Sequence, residues 1–328
     1  MQHRRHFIRQ FAGLGAAALP LDRAMAQMPA DKSRLLFNLP ADSVMGRFAR
    51  EVTGLMGPHY TPPLAAESQT VGGPLRFVDT IRQAPPDGSL LMHTQNSLLT
   101  LTPQLAASRG RYAPLTDLTP VAALADFTWV LAVAPHVDAK VTTVKDYLAW
   151  VADNPDSRSY GSTQFGSIPH LVGTMLARLA GASIRPVSYA SSDAIRRDLA
   201  SGTLAAAIMP VDSLRAADGP RLRPLAVVGT ARWPTIPDVP TFSEAGFQDL
   251  EATGWYVWAG PATLSPGVRQ RLVDGLGKSL PGRDHASNPA LANIMNNLVT
   301  GDALIERLRR ESRYFESLTQ ELRFGTTA

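Results

Sequence analysis

The stretch Ser159-Tyr160-Gly161-Ser162-Thr163-Gln164-Phe165-Gly166-Ser167-Ile168-Pro169-His170-Leu171 narrows the folds open to this chain more than any other. It predicts the end of a strand, a Gly/Ser-rich turn and the first turn of a helix. Ser167 suits the N-cap, where a hydroxyl accepts from a free backbone N–H, and Pro169 suits the first turn, where a missing N–H costs nothing. Val172, Met175, Leu176 and Leu179 continue the helical spacing, and Gly181 suits its end. Free N–H groups and small hydroxyls at such a terminus attract an anion, and a small carboxylate is the natural guest. The same residues also suit an ordinary β-to-α turn.

A second segment has the same form. Arg34–Leu39 reads as a strand, Pro40-Ala41-Asp42-Ser43 breaks it, and Val44, Phe48, Val52 and Leu55 share one face of a helix ending at Gly57. Ser43 or Asp42 caps that helix. Further strands are expected over 62–67, 89–93, 118–124, 127–133, 184–189, 204–209, 222–228 and 254–260. Helices are expected through Phe77 and Ile81, from Ser97 to Leu105, and over 144–151, 192–199, 266–280 and 302–322. Pro85-Pro86-Asp87-Gly88 is a strong turn, and Ile236–Thr241 is a rigid, Pro-rich extended loop. The alternation of strands and helices predicts an α/β fold, and no internal repeat is visible. Two αβ lobes joined by two strands would bring both strand–loop–helix termini to a central cleft, since ligands in open α/β sheets bind at the carboxyl ends of strands.

Composition excludes several functions. The 328 residues are 45% hydrophobic and 18% charged, which suits a globular chain long enough for two domains. Cysteine is absent, which removes disulfides, thiolate metal sites, a Cys nucleophile and a lipoprotein anchor. The net charge of +4 is modest, and neither arginine cluster, Arg4, Arg5 and Arg9 or Arg307, Arg309, Arg310 and Arg313, has the interleaved aromatics of a nucleic-acid groove. The 7 histidines show no metal-binding spacing, and no nucleophile elbow, Walker loop or dinucleotide fingerprint is present. A non-local Ser-His-Asp triad is not testable from spacing. Residues 1–26 have the form of a signal peptide. Arg4-Arg5-His6-Phe7-Ile8-Arg9 is similar to a twin-arginine motif, a short apolar run follows, and Ala24-Met25-Ala26 suits cleavage before Gln27.

The run Leu222-Arg223-Pro224-Leu225-Ala226-Val227, followed by Ile236-Pro237-Asp238-Val239-Pro240-Thr241-Phe242-Ser243-Glu244-Ala245-Gly246, closely resembles the Bug-type periplasmic solute-binding receptors of tripartite tricarboxylate transporters. Ala84–Leu91, Tyr112–Val121, Tyr160–Leu171, Asp198–Gly202 and Gly254-Trp255 resemble further family segments in order, so the likeness spans nearly all of 34–315. It implies a two-lobed type II periplasmic binding protein, a Venus flytrap with two crossing strands at Thr128–Pro135 and about Thr253–Pro261. The implied division is a first lobe of 27–130 plus 258–328 and a second of 131–257. It further implies a monomer that binds a small carboxylate or related acid or amide and hands it to a membrane transporter or sensor, with no catalytic residue, metal, cofactor or nucleic acid. By the same resemblance, the ligand lies between Ala41, Asp42 and Ser43 on one loop and Ser162, Thr163, Gln164, Gly166, Ser167 and His170 on the other, with Tyr189 also lining the cleft. For His170, read from its position on the first helical turn, packing or capping is favoured over ligand contact.

Several positions depart from the family pattern. Asp42 stands where a glycine is usual, and Gly46 where an aspartate is usual. Glu67–Gly73, Val187–Ser191 and Met209-Pro210 also differ from their family counterparts. An atypical ligand or degenerate binding would follow from these changes, and a secreted cofactor enzyme exported in folded form is the reading from another class. Three further expectations concern single residues. Trp129, Trp255 and Trp258 belong to hinge and core, although 255–258 alternates imperfectly for a strand with one buried face. Arg47 and Arg50 form salt bridges on the first helix. Arg307, Arg310, Glu306 and Glu311 form a solvated helix face.

Overall fold

Two mixed sheets carry the chain. The structure is a computed structural model and describes residues 32–105, 110–214, 221–281 and 291–322; the expected export segment lies outside the described residues. The chain begins with β1 (Ser33–Phe37), α1 (Val44–Met56), β2 (Leu64–Ser68), α2 (Gly73–Arg82) and β3 (Leu90–Gln95). The short α3 (Ser97–Thr100) and α4 (Pro114–Asp117) lead to β4 (Leu118–Phe127). The chain then crosses to β5 (Trp129–Val133), α5 (Val144–Asp153), β6 (Ser159–Thr163), α6 (Ile168–Ala180), β7 (Arg185–Tyr189), α7 (Ser192–Ser201), β8 (Ala206–Pro210) and β9 (Arg223–Val227). It returns as β10 (Gly254–Pro261), α8 (Pro266–Ser279), β11 (Met295–Thr300) and α9 (Gly301–Leu322).

The first sheet has the order β11-β4-β10-β3-β1-β2 and the second β7-β6-β8-β5-β9. β1 pairs in parallel with β2 and β3, and β6 with β7 and β8. In each sheet the next strand, β10 or β5, is antiparallel and arrives directly from the other sheet. Apart from β11 the two orders match, so the lobes repeat in topology although no repeat is visible in sequence. All of β10 pairs with β4 in the first sheet, including Gly254–Val257, which the resemblance assigned to the second lobe. β5 pairs in the second sheet from Trp129 onward. The outward crossing is therefore confined to Thr128. Its hydroxyl donates to the Val228 carbonyl, and Val228 N–H donates to the Trp129 carbonyl at 2.9 Å, which ties the outward and return connections together.

The first sheet is covered on both faces. Leu35 and Phe37 pack with Met45, Phe48, Val52 and Met56 of α1 and with Leu272 and Leu276 of α8. Leu36 and Met92 pack on the opposite face with Phe77, Val78 and Ile81 of α2 and with Leu304 and Leu308 of α9. Burying each large apolar side chain contributes about 1.5–3 kcal/mol. This explains the imperfect alternation of β10: Trp255 and Trp258 point to opposite faces, and both are fully buried. The helix expected from Ser97 to Leu105 is a short α3 followed by a 3-10 turn at Thr102–Gln104, because Pro103 cannot continue an α-helix. β11 is too polar for sequence patterning to reveal.

The expected solvated face of α9 holds at Glu306 and Arg310, which are exposed, and is corrected at Arg307 and Glu311. The carboxylate of Glu311 accepts from Trp255 Nε1–H at 2.7 and 2.9 Å and from the Asn96 side-chain amide at 2.9 Å. Arg307 donates to Glu311 at 3.3 Å and to Asp126 at 2.8 Å, and its guanidinium lies 4.3 Å from the centre of the Trp255 ring. The Asn96 side chain also accepts from the Trp255 backbone N–H and donates to the Thr253 carbonyl. This network clamps α9 to β10 beside the return crossing.

Candidate functional site

Both strand–loop–helix termini form, and both lie at the carboxyl ends of parallel strands. On the first, Ser43 is the N-cap of α1, and its hydroxyl accepts from Gly46 N–H at 3.1 Å. The missing side chain at Gly46 has a steric cause. A Cβ there would lie 2.5 Å from the Ala41 carbonyl oxygen and 2.8 Å from the Phe37 ring, so an aspartate has no room. Ala41 and Asp42 are exposed, and the Asp42 carbonyl accepts from Arg47 Nη1.

On the second terminus, Ser167 caps α6 by accepting from His170 N–H at 3.4 Å, and its hydroxyl donates to the Thr163 carbonyl at 2.6 Å. Gly166 N–H donates to His170 Nδ1 at 3.0 Å. The backbone reverses through Gln164 at φ 59° and Gly166 at φ 80°, the left-handed region that favours glycine and rarely admits other residues. His170 thus holds the loop in place. It is buried, the tilted Phe165 ring packs with its centre 4.2 Å away, and burial lowers its pKa to about 4, so the ring stays neutral and able to accept. The Tyr189 hydroxyl donates to Asp198 at 2.7 Å, which directs it toward α7, and burial, with Asp198 adding, pushes its pKa up to about 12. Thr163 is half-buried and Gln164 exposed. Ser162 differs from its neighbours: it is 1% exposed, and its hydroxyl has no hydrogen-bond partner. By strand alternation it shares the face of Tyr160, whose hydroxyl donates to the His170 carbonyl at 3.2 Å, so Ser162 sits beneath the start of α6.

Residues that sequence reasoning did not place at the site also meet between the sheets. The column Phe48, Tyr256, Phe127 and Trp129 runs past the outward crossing, with ring centres at 5.2, 4.6 and 5.2 Å. His93 packs beside it, 5.0 Å from Tyr256, and accepts from Trp258 Nε1–H at 3.0 Å. Complete burial lowers the His93 pKa to about 3. Asp212, just beyond the carboxyl end of β8, has one carboxylate oxygen buried without a hydrogen-bond partner. Burial raises its pKa, opposed by hydrogen bonds from Asn293 and by the charge of Arg47. Both Asp212 and Arg47 act electrostatically on Tyr256, which burial holds in its neutral form. Arg47, expected in a helix-surface salt bridge, instead sits at this seam, with Nε buried and without a partner. Asp212 was legible by the rule that singled out the loops, since it follows a buried strand. Two surface depressions, of about 250 Å³ around Arg82 and Tyr112 and about 300 Å³ around Thr142 and Glu244, lie away from these groups. Among the described residues no group of three or more His, Asp or Glu side chains could hold a metal.

The comparisons with known proteins agree with this architecture. The family described as "Tripartite tricarboxylate transporter family receptor" matches residues 49–303. Among curated sequences, Protein BugT of Bordetella pertussis is 24% identical over 249 residues, covering 73% of each chain. A UPF0065 protein of Cupriavidus necator is 24% identical over 330 residues, covering 96% of this chain and 98% of its own. Among solved structures, periplasmic binding protein BugD superposes with a TM-score of 0.77 at 20% identity, covering 89% of this chain and 98% of that one. An R. palustris protein with adipate superposes with a TM-score of 0.79 at 22% identity, covering 90% and 99%.

Proposed function

From its membership of the tripartite tricarboxylate transporter family of periplasmic solute-binding receptors, we propose that this chain closes two lobes around a small carboxylated metabolite. The reading has residues 1–26 direct export to the periplasm and be removed, and has the loaded monomer deliver its ligand to a membrane transporter or sensor. The first lobe comprises the chain up to Phe127 together with β10 onward, and the second runs from Trp129 to the return crossing. Adipate and malate are the acids named with two structural relatives of the same fold. The family is one of receptors rather than enzymes, and the reading involves no covalent step.

The observation that carries the reading is the buried, unpartnered Ser162 hydroxyl beneath the N-terminus of α6. A buried hydroxyl without a partner is costly, and an anion at a helix N-terminus supplies one. Closure works because the ligand binds the closed arrangement more tightly than the open one. The test is a thermal-shift screen of residues 27–328 against mono-, di- and tricarboxylates, aromatic acids, amino acids and amides. A ligand at a hundredfold over its Kd stabilises by about 2.7 kcal/mol, a rise of about 2–4 °C per kcal/mol. Ser162→Ala should weaken the responding acid about ten- to a hundredfold, the value of a hydrogen bond to a charged group. A panel without a shift, or a Ser162→Ala variant that binds like wild type, refutes the reading.

A further inference from the structure

The last helix reaches past the lobe in which it starts. α9 follows β11 and packs Leu304 and Leu308 on the first sheet. Asn96 and Trp255 hold its Glu311 beside the return crossing. From there to Glu321 the helix runs on for about 15 Å. Along that stretch it bonds to the second lobe. The Tyr314 hydroxyl donates to the Asp249 carbonyl at 2.6 Å. Asp249 lies in the chain leading into β10, at φ 67°, a left-handed conformation uncommon outside glycine. Arg178, on the last turn of α6, donates to the Glu321 carbonyl at 2.9 Å and pairs with its carboxylate at 3.5 Å.

The contact at Arg178 joins two helix ends. The last carbonyls of a helix have no partner within it and carry the negative end of its dipole. α6 and α9 bring two such ends together, and the Arg178 guanidinium is the cation that offsets both. The two attachments of α9 differ in kind. Glu311 is fixed in the first lobe by a buried network, whereas Arg178 and Glu321 are exposed and Tyr314 is half-buried. α6 also meets the first lobe at its other end, where a Cβ on Gly166 would lie 2.7 Å from the Leu105 side chain. Resting on the two-lobe reading above, we propose that the C-terminal half of α9 is a strap across the hinge, a third connection that holds the lobes together through Tyr314 and Arg178 and releases them when those contacts break. A conformational equilibrium moves only by the difference in interactions between its states. The strap therefore sets the resting proportion of open and closed protein, and with it the apparent affinity for any ligand that needs the closed form.

The test reads the distance between the lobes and needs no ligand. The chain has no cysteine, so spin labels attach only where cysteines are introduced. Val71→Cys and Ala190→Cys place them on exposed loops after β2 and β7, the corresponding edge strands of the two sheets. Double electron–electron resonance then gives the distribution of distances. Tyr314→Phe and Arg178→Gln each remove one strap contact. Each should raise the ratio of longer to shorter distances about two- to tenfold, and the double variant should raise it further. Arg313→Ala removes an ion pair of similar exposure, with Glu306, that lies within α9 alone, and it should leave the distances unchanged. Circular dichroism and the melting temperature serve as folding controls. A merely structural role for the end of α9 would lower the melting temperature and leave the distances as they are. Distances that do not move in the double variant, or that move as far with Arg313→Ala, overturn the proposal. A carboxylate panel without a thermal shift removes the receptor reading and leaves the strap to be decided by the distances; a responding panel with unmoved distances removes the strap alone.

Discussion

Replacing Glu311 by alanine tests whether the buried clamp on α9 is held by hydrogen bonding or by charge. Its side chain is 21% exposed, and its two oxygens receive Trp255 Nε1–H, the Asn96 amide and Arg307. Alanine leaves the indole N–H and the amide N–H without an acceptor, and each such buried donor costs about 1–3 kcal/mol. Arg307 keeps Asp126, so its charge is not stranded. The expected loss is about 3–5 kcal/mol, in the range for breaking a buried polar pair by removing one partner. The melting temperature should fall by about 6–20 °C. Burial raises the Glu311 pKa despite its three partners, so ionisation of this carboxyl brings no net gain relative to water. Glu311→Gln, which retains one oxygen, should therefore lose only about 1–2 kcal/mol. The assay is urea unfolding followed by tryptophan fluorescence and circular dichroism, with scanning calorimetry for the melting temperature. A loss below about 1 kcal/mol for Glu311→Ala refutes the hydrogen-bond argument. Equal losses for the two variants would show that the pairing of charges with Arg307 dominates.

Two further outcomes follow from the geometry. His93 has a folded pKa of about 3 against an ordinary 6.5, because burial disfavours the imidazolium. The unfolded chain thus binds the extra proton first, so the contribution of the neutral ring is complete above pH 6.5 and is lost as the pH falls toward 3. By linkage this amounts to about 2 kcal/mol between pH 8 and pH 5. Comparing urea midpoints of wild type and His93→Gln at both pH values should show the variant lacking that share of the acid dependence, and parallel slopes would sink the assignment. Gly46→Ala should destabilise by about 1–3 kcal/mol through overpacking, since its Cβ meets the Ala41 carbonyl and the Phe37 ring. Gly54→Ala on the same helix has nothing within 4 Å and should stabilise by up to about 1 kcal/mol. Thermal melts that rank the two variants the other way contradict the steric account.

Much of the architecture was legible because it is local. Ser43 and Ser167 as caps, Gly181 and Gly202 in left-handed conformation after their helices, and the strands bounded by Pro and Gly all follow from interactions within a few residues. The family motifs then supplied the lobe arrangement, which propensity alone does not. Readings failed where one residue's environment is made by distant segments. Glu311 on a charged helix looks solvated until Asn96, 215 residues away, and Trp255 are packed against it. Arg47 looks like a helix-surface ion pair until the second lobe brings Asp212 near it.

The sequence by itself determined the α/β class, the two capped helix termini and the receptor family, because caps, turns and periodicity act between neighbours along the chain. Only the tertiary structure decided which polar groups lose water. Burial depends on which segments meet in space, and the crossings at Thr128 and before Gly254 bring strand ends from two sheets onto one seam. That meeting leaves Ser162 Oγ, Arg47 Nε and Asp212 Oδ1 buried without hydrogen-bond partners, while His170 accepts from Gly166 and Tyr189 donates to Asp198.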